Sequence, residues 1–167
     1  MRIREATLED AASIIKHSKI TIGQGRNLLT SPNEFTITLE EEIEWITENM
    51  NKRQLILVAE KGTEIIGMLT VRRGSRERVK HICHFGISIQ EAYCNLGLGS
   101  KMIQQMLLWA AQDSDIEKVC LEVFTHNQRA IHVYEKLGFK IEGKKERHVK
   151  FEDGTYSDEL LMSQFVK

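Results

Sequence analysis

A carboxylate stranded in an apolar run is the first residue whose chemistry stands out. Glu122 sits in Val119-Cys120-Leu121-Glu122-Val123-Phe124. In such surroundings a carboxyl group has a raised pKa unless it is paired, which suits taking a proton near neutral pH. Strand alternation puts it on one face with Cys120 and Phe124. A structural salt bridge is the competing reading. Upstream, the β-branched run His81 to Gln90 (HICHFGISIQ) passes through a short loop ending in Gly97-Leu98-Gly99. A helix follows, with Met102, Ile103, Met106, Leu107 and Ala110 on one face. A strand, glycine loop and helix N-terminus in sequence leave unpaired N–H groups aligned with the positive end of the helix dipole, suited to a phosphate or diphosphate. Met102 stands where a third glycine would complete G-x-G-x-x-G, and Gly99-Ser100-Lys101 has the wrong order for G-K-[ST], so a dinucleotide or NTP mode is not expected. His81 and Cys83 would share a strand face with His84 opposite, which argues against a metal site; none is expected.

Further residues carry a resemblance. Ile87-Ser88-Ile89, Tyr93 and Gly97-Leu98-Gly99-Ser100 before an apolar helix resemble the acetyl-CoA-binding motif of the GNAT superfamily of N-acetyltransferases. Asn127, Arg129-Ala130, Tyr134-Glu135 and Leu137-Gly138-Phe139 resemble its second motif, N-x-x-A-x-x-x-Y-x-x-x-G-F. Cys94 departs from the pattern, where the family commonly has Gln or Arg; a loop binding diphosphate through backbone N–H groups loses a side-chain contact there more than its binding mode.

The resemblance implies acetyl-CoA as co-substrate, held by Ile87, Ser88, Ile89, Cys94, Asn95, Leu96, Gly97, Leu98, Gly99, Ser100, Asn127 and Tyr134. The backbone of Ile87 to Ile89 would hold the pantetheine arm as an added strand, where the strand splays from its neighbour. Tyr134 would lie near the thioester sulfur, and a phenol of pKa ~10 can donate to a departing thiolate; packing alone is its other reading. The L-E-V triplet resembles the ribosomal-protein N-terminal acetyltransferases, in which the glutamate matching Glu122 acts as base, directly or through water. His84 and Glu91 are the reserves for that role. Asn127 both caps a helix and is implied in contact with the CoA arm. The implied reaction is direct attack by an amine, with no acyl-cysteine at Cys94. The acceptor is a small-molecule amine or, alternatively, a protein N-terminus; the tail from Ile141 to Met162 resembles a subgroup of ribosomal-protein, amino-acid and polyamine acetyltransferases. From a different class, a non-catalytic acyl-CoA-binding module is the rival.

Composition is compatible with this. The chain has 167 residues, 41% hydrophobic and 28% charged, with Lys+Arg 23 against Asp+Glu 24. That balance gives no basic excess for nucleic acid, no run spans a bilayer, and no apolar stretch follows Met1-Arg2-Ile3-Arg4-Glu5 to make a signal peptide. A cytoplasmic location without membrane or nucleic-acid partners is the expectation, with room for a homodimer. Cys83, Cys94 and Cys120 lack paired spacing, so neither a disulfide framework nor structural zinc is expected.

The elements follow from periodicity and caps. Arg2 to Ala6 reads as a strand, and Thr7 with Asp10 caps a helix from Leu8 to about Ser18, with Ala11, Ile14 and Ile15 inward. Thr21 to Phe35 reads as a loop. Thr38 and Glu41 form a capping box for a helix to about Met50, with Leu39, Ile43 and Ile46 on one side and Trp45 either in the core or lining an acceptor pocket. Gln54 to Glu60 and Ile65 to Arg73 are strands. The cluster Arg72, Arg73, Arg76, Arg78 and Lys80 reads as a solvated hairpin tip rather than a CoA-phosphate patch. Lys118 to Phe124 is a buried strand, a helix runs from about Gln128 to Leu137, and a last hairpin from about Lys140 to Val166 turns at Asp153-Gly154. The expected fold class is α+β (mixed α/β), which in the resembled family is a single domain over residues 1–167 with one mixed, largely antiparallel central sheet flanked by helices.

Overall fold

In the computed structural model, which describes residues 1–167, the first helix begins as the caps require. The Thr7 N–H donates to Asp10 Oδ2 at 2.7 Å, and the Arg4 guanidinium grips both oxygens of Asp10 at 2.7 and 2.8 Å. A 3-10 turn over Leu8–Asp10 leads into α1, Ala11–Gly23. The helix runs past Ser18 because Thr21 turns its hydroxyl back to the His17 carbonyl at 3.1 Å and, with Ile22, continues the buried face. Residues 21–23, expected in a loop, are therefore helical. Helix α2, Leu39–Asn51, starts at the Thr38 and Glu41 capping box. Its inward face differs from the expectation: Glu42, Ile46 and Asn49 are buried, whereas Leu39 and Ile43 are exposed. Asn49 is accommodated by its Nδ2, which donates to the Trp45 carbonyl at 2.7 Å. Trp45 itself packs against a core of Ala11, Ile14, Ile46, Ile56, Val58 and Ile65.

The strands are β1 (Arg2–Glu5), β2 (Ile56–Lys61), β3 (Glu64–Arg73), β4 (Ile82–Ile89), β5 (Lys118–Phe124), β6 (Lys140–Lys150) and β7 (Tyr156–Phe165), with α3 (Leu98–Gln112) between β4 and β5 and α4 (Gln128–Lys136) after β5. They form one seven-stranded mixed sheet in the order β1-β2-β3-β4-β5-β7-β6. The single parallel ladder given by the registers is β4 with β5, over Ile82–His84 and Lys118–Cys120. Gly86–Ile89 thus runs on beyond that ladder. The chain resolves into two compact units, Met1–Arg72 with Gly86–Ile103, and Arg73–Phe85 with Gln104–Lys167, so β4 and α3 each contribute to both. No helix is long and apolar enough to cross a membrane.

In the first unit, Met102 and Ile103 of α3 are buried, with the Met102 sulfur against Gly67 of β3. In the second, Met106 and Ala110 continue that buried face. There Arg73 departs from the solvated-tip reading: its guanidinium binds Asp113 through two bonds of 2.7 and 3.0 Å, with both side chains only about 15% exposed (15% and 16%). Losing one partner of such a pair leaves the other charged and half-dry, so Arg73→Met should lower stability by about 1–2 kcal/mol. Denaturant melts at neutral pH would read this as a lower midpoint with an unchanged slope.

Candidate active site

In the first unit the anion-site elements come together around the end of β4. Alternation along β4 sends Ser88 to one face and Ile87 and Ile89 to the other. On the Ser88 face, its hydroxyl lies 2.9 Å from Nε2 of the fully buried His17 of α1. On the opposite face, the Ile89 side chain abuts Gly99, where an added Cβ would meet Ile89 Cδ1 at 3.3 Å. Glycine at 99 therefore allows α3 to close on β4. Gln90 ends the strand: its N–H donates to the Ile66 carbonyl at 3.0 Å, and its side-chain amide donates to the Ile65 carbonyl at 3.0 Å. A 3-10 turn over Glu91–Tyr93 follows.

The loop then takes two left-handed residues, Asn95 at φ 61 and Gly97 at φ 77. The Cys94 sulfur faces the Ile89 and Gln90 carbonyls at 3.8 and 3.7 Å, so it is turned back onto the strand end. Leu96 is 58% exposed and Leu98 3%, which marks where the chain enters the core. Helix α3 begins at Leu98, and the Lys101 N–H closes on the Gly97 carbonyl at 3.2 Å. The N–H groups of Leu98, Gly99 and Ser100 precede that first intrahelical bond and are the ones a helix leaves for an anion. Nothing lies within 4 Å of a Cβ built on Gly97, so the loop is open above it. The left-handed backbone makes Gly97→Val costly by about 1–2 kcal/mol. A Tm several degrees lower is the expected result by calorimetry.

In the second unit, α4 is capped by Asn127, whose Oδ1 accepts from the Ala130 N–H at 3.3 Å. That helix buries Tyr134 to 7% exposure against Phe85 (centroids 5.9 Å apart, edge-on) and Phe139 (6.1 Å). Burial pushes its phenol up to about 12, so it stays protonated through the neutral range. Burial likewise pushes Cys83 up to about 12, which leaves it an inert core thiol.

Glu122 requires a correction. Its side chain is 46% exposed, and the Lys145 Nζ lies 3.1 Å from it. Partial burial pulls the carboxyl upward, but the hydrogen bond and charge of Lys145, with smaller help from Glu159 and His84, hold it below its usual range. The raised value expected for an unpaired carboxylate is not what the fold produces; Glu122 is ionised at neutral pH and paired. His84 is exposed on β4, and its register partner Cys120 alternates with Glu122, so both share a sheet face. Phe85, which Tyr134 packs against, points the other way. Phenol and carboxylate therefore belong to opposite faces of the sheet. Glu91 lies in the first unit, its backbone N–H donating to Gln24 Oε1 at 2.8 Å.

Residues 24–139 match the model of the Acetyltransferase (GNAT) family. The L-amino acid N-acetyltransferase AaaT of Escherichia coli (strain K12) is 32% identical over 108 residues, which are 65% of this chain and 66%, just under two thirds, of that protein. The N-alpha-acetyltransferase of Sulfurisphaera tokodaii is 30% identical over 170 residues, covering 97% of this chain and 91% of that one. The crystal structure of an acetyltransferase of the GNAT family from Streptococcus pneumoniae superposes with a TM-score of 0.94 at 31% identity, over 98% of each chain. The open glycine loop at the α3 N-terminus, the buried phenol of α4 and these matches make the chain a member of the GNAT acetyltransferase family.

Proposed function

We propose that this protein is a single-domain enzyme that transfers the acetyl group of acetyl-CoA to a primary amine by direct attack, with a small-molecule amine as acceptor. The observation that carries the reading is the α3 N-terminus, where the N–H groups of Leu98, Gly99 and Ser100 precede the first intrahelical bond and the loop is open at Gly97. The protonated phenol of Tyr134 and the ionised carboxylate of Glu122 supply an acid and a base that acetyl transfer to an amine can use.

The residues of the α3 loop fit the diphosphate of CoA. The N–H groups of Leu98, Gly99 and Ser100 would donate to it, with Cys94, Asn95, Leu96 and Gly97 shaping the loop. The backbone of Ile87, Ser88 and Ile89 lies beyond the β5 ladder and would pair with the pantetheine amides. When bound, acetyl-CoA supplies the thioester whose cleavage releases a thiolate. From its face of the sheet Glu122, directly or through water, takes one proton of the attacking ammonium, and from the opposite face Tyr134 gives its proton to the thiolate sulfur. The second nitrogen proton, lost as the amide forms, restores the phenol through water. Asn127 sets the start of α4 and so the height of Tyr134. A protein N-terminus is the second acceptor class, favoured by the likeness along 97% of the chain to an N-alpha-acetyltransferase.

The test is thiol release from acetyl-CoA against free amino acids, polyamines, aminoglycosides and short N-terminal peptides. Turnover on a small amine supports the reading, and turnover confined to peptides shifts it to the second acceptor. Acetyl-CoA binding without turnover on any of them favours a binding module.

A further inference from the structure

Lys145 has no part in the scheme above, yet much of β6 is arranged around it. Strand β6 is the sheet edge, and β7 separates it from β5. From that edge the Lys145 Nζ reaches across β7 to lie 3.1 Å from Glu122 Oε1 on β5 and 3.1 Å from Glu159 Oε1 on β7. Just beyond it the ladder is irregular: Lys145 pairs with Glu159, but the next paired residues are Val149 and Ser157. Four residues of β6 thus advance against two of β7, and Arg147 takes a left-handed φ of 48. A non-glycine residue held there costs on the order of 1 kcal/mol. The Arg147 N–H donates to Asp158 Oδ1 at 2.7 Å, and its guanidinium lies 4.3 Å over the Tyr156 ring centroid. One result is that His148, three residues after Lys145, faces the same carboxylate, with Nε2 3.6 Å from Glu159 Oε1. An unbroken strand would send the two side chains to opposite faces.

We propose that Lys145 is a positioning residue for the acetyl transfer: anchored on the buried Glu159, it holds the half-exposed Glu122 carboxylate in one orientation for the acceptor's proton. The proposal rests on Glu122 being the base. The proton moves from the acceptor ammonium to a Glu122 oxygen, leaving the lone pair on nitrogen for attack, and Lys145 keeps its own protons. The charged and titratable groups facing Glu122 are His84 from β4, Lys145 from β6 and Glu159 from β7, and His148 of β6 lies against Glu159. Glu159 is 5% exposed, so without Lys145 the two carboxylates would lose the ammonium that bridges them. Glu122 would then bind a proton more readily and swing freely.

The test is the pH profile of kcat/KM for the acceptor, from pH 4.5 to 8, in wild type, Lys145→Met, Lys145→Arg and Glu122→Gln. Lys145→Met should move the acidic limb upward by about one pH unit or more, with the KM for acetyl-CoA unchanged. Lys145→Arg should keep the limb near wild type, which guards against a Met variant that merely folds badly. The carboxyl 13C titration of Glu122 in unsubstituted protein supplies a readout without mutation, with a midpoint below the ordinary carboxylate range expected. An ordinary midpoint, or an unmoved limb in Lys145→Met while Glu122→Gln loses activity, overturns the role of Lys145 alone. Wild-type rates in Glu122→Gln overturn the assignment of Glu122, and the role of Lys145 with it.

Discussion

Tyr134→Phe should lower kcat by roughly 10²-fold or more while leaving acetyl-CoA affinity within about a factor of two. Phenylalanine preserves the ring that packs edge-on to Phe85 at 5.9 Å and against Phe139 at 6.1 Å, so the fold and the seat of α4 should survive. Only the hydroxyl proton is lost. Because burial holds the phenol up at about 12, it does not titrate between pH 6 and 9. The loss should accordingly be the same at every pH in that window. Single-turnover rates and acetyl-CoA titration calorimetry separate chemistry from binding. A kcat within a few-fold of wild type would show that the thiolate leaves without this acid, and Tyr134 would then be a packing residue. A loss that grows with pH would point to a different titrating group.

What could be read from the sequence divides along the reach of the interactions. Element order follows from alternation, helical period and caps, all local, and the sheet type from the family resemblance: the Thr38 and Glu41 box starts α2 within one residue of its expected place. Boundaries failed where local signals mislead. Thr21 opens a stretch that loses periodicity and holds Gly23, Gly25, Asn27 and Pro32, so it looks unhelical, yet Thr21 and Ile22 are buried and carry α1 onward to Gly23. On α2, Leu39 and Ile43 look like core residues, but the surface offered to that helix takes Glu42 and Asn49 instead. The glycine loop was readable because its chemistry lies in consecutive backbone groups. The state of Glu122 was not, since Lys145 is 23 residues away and arrives by way of the last hairpin. Arg73 with Asp113, 40 residues apart, was invisible for the same reason. His17 carries no local mark at all; its interest arises entirely from burial beside Ser88, 71 residues later.

That histidine yields the largest expected stability effect. His17 is fully buried, its Nε2 bonded to the Ser88 hydroxyl and its Nδ1 without a hydrogen-bond partner. Desolvation pushes its pKa down from 6.5 to about 4, against small opposing contributions from the Ile65 and Ser88 backbone and the Glu64 charge. Between those two values the unfolded chain binds the proton that the folded chain refuses. Stability therefore rises with pH through that window, is complete above about 6.5, and is lost as pH falls toward 4. At about 1.4 kcal/mol per pKa unit, the loss attributable to this one ring approaches roughly 3 kcal/mol. His17→Gln keeps a polar partner for Ser88 but cannot take up a proton. At pH 7.5 it should be about 1–2 kcal/mol less stable than wild type, through imperfect packing in a closed site. At pH 4.5 that gap should close or reverse, because only the wild type then carries the histidine penalty. Urea melts of both proteins at the two pH values measure this directly, and comparing differences cancels the carboxylates common to both. A gap that stays constant would mean that the ring finds water or a partner for its proton, and that the Ser88 end of β4 is more open than its burial indicates.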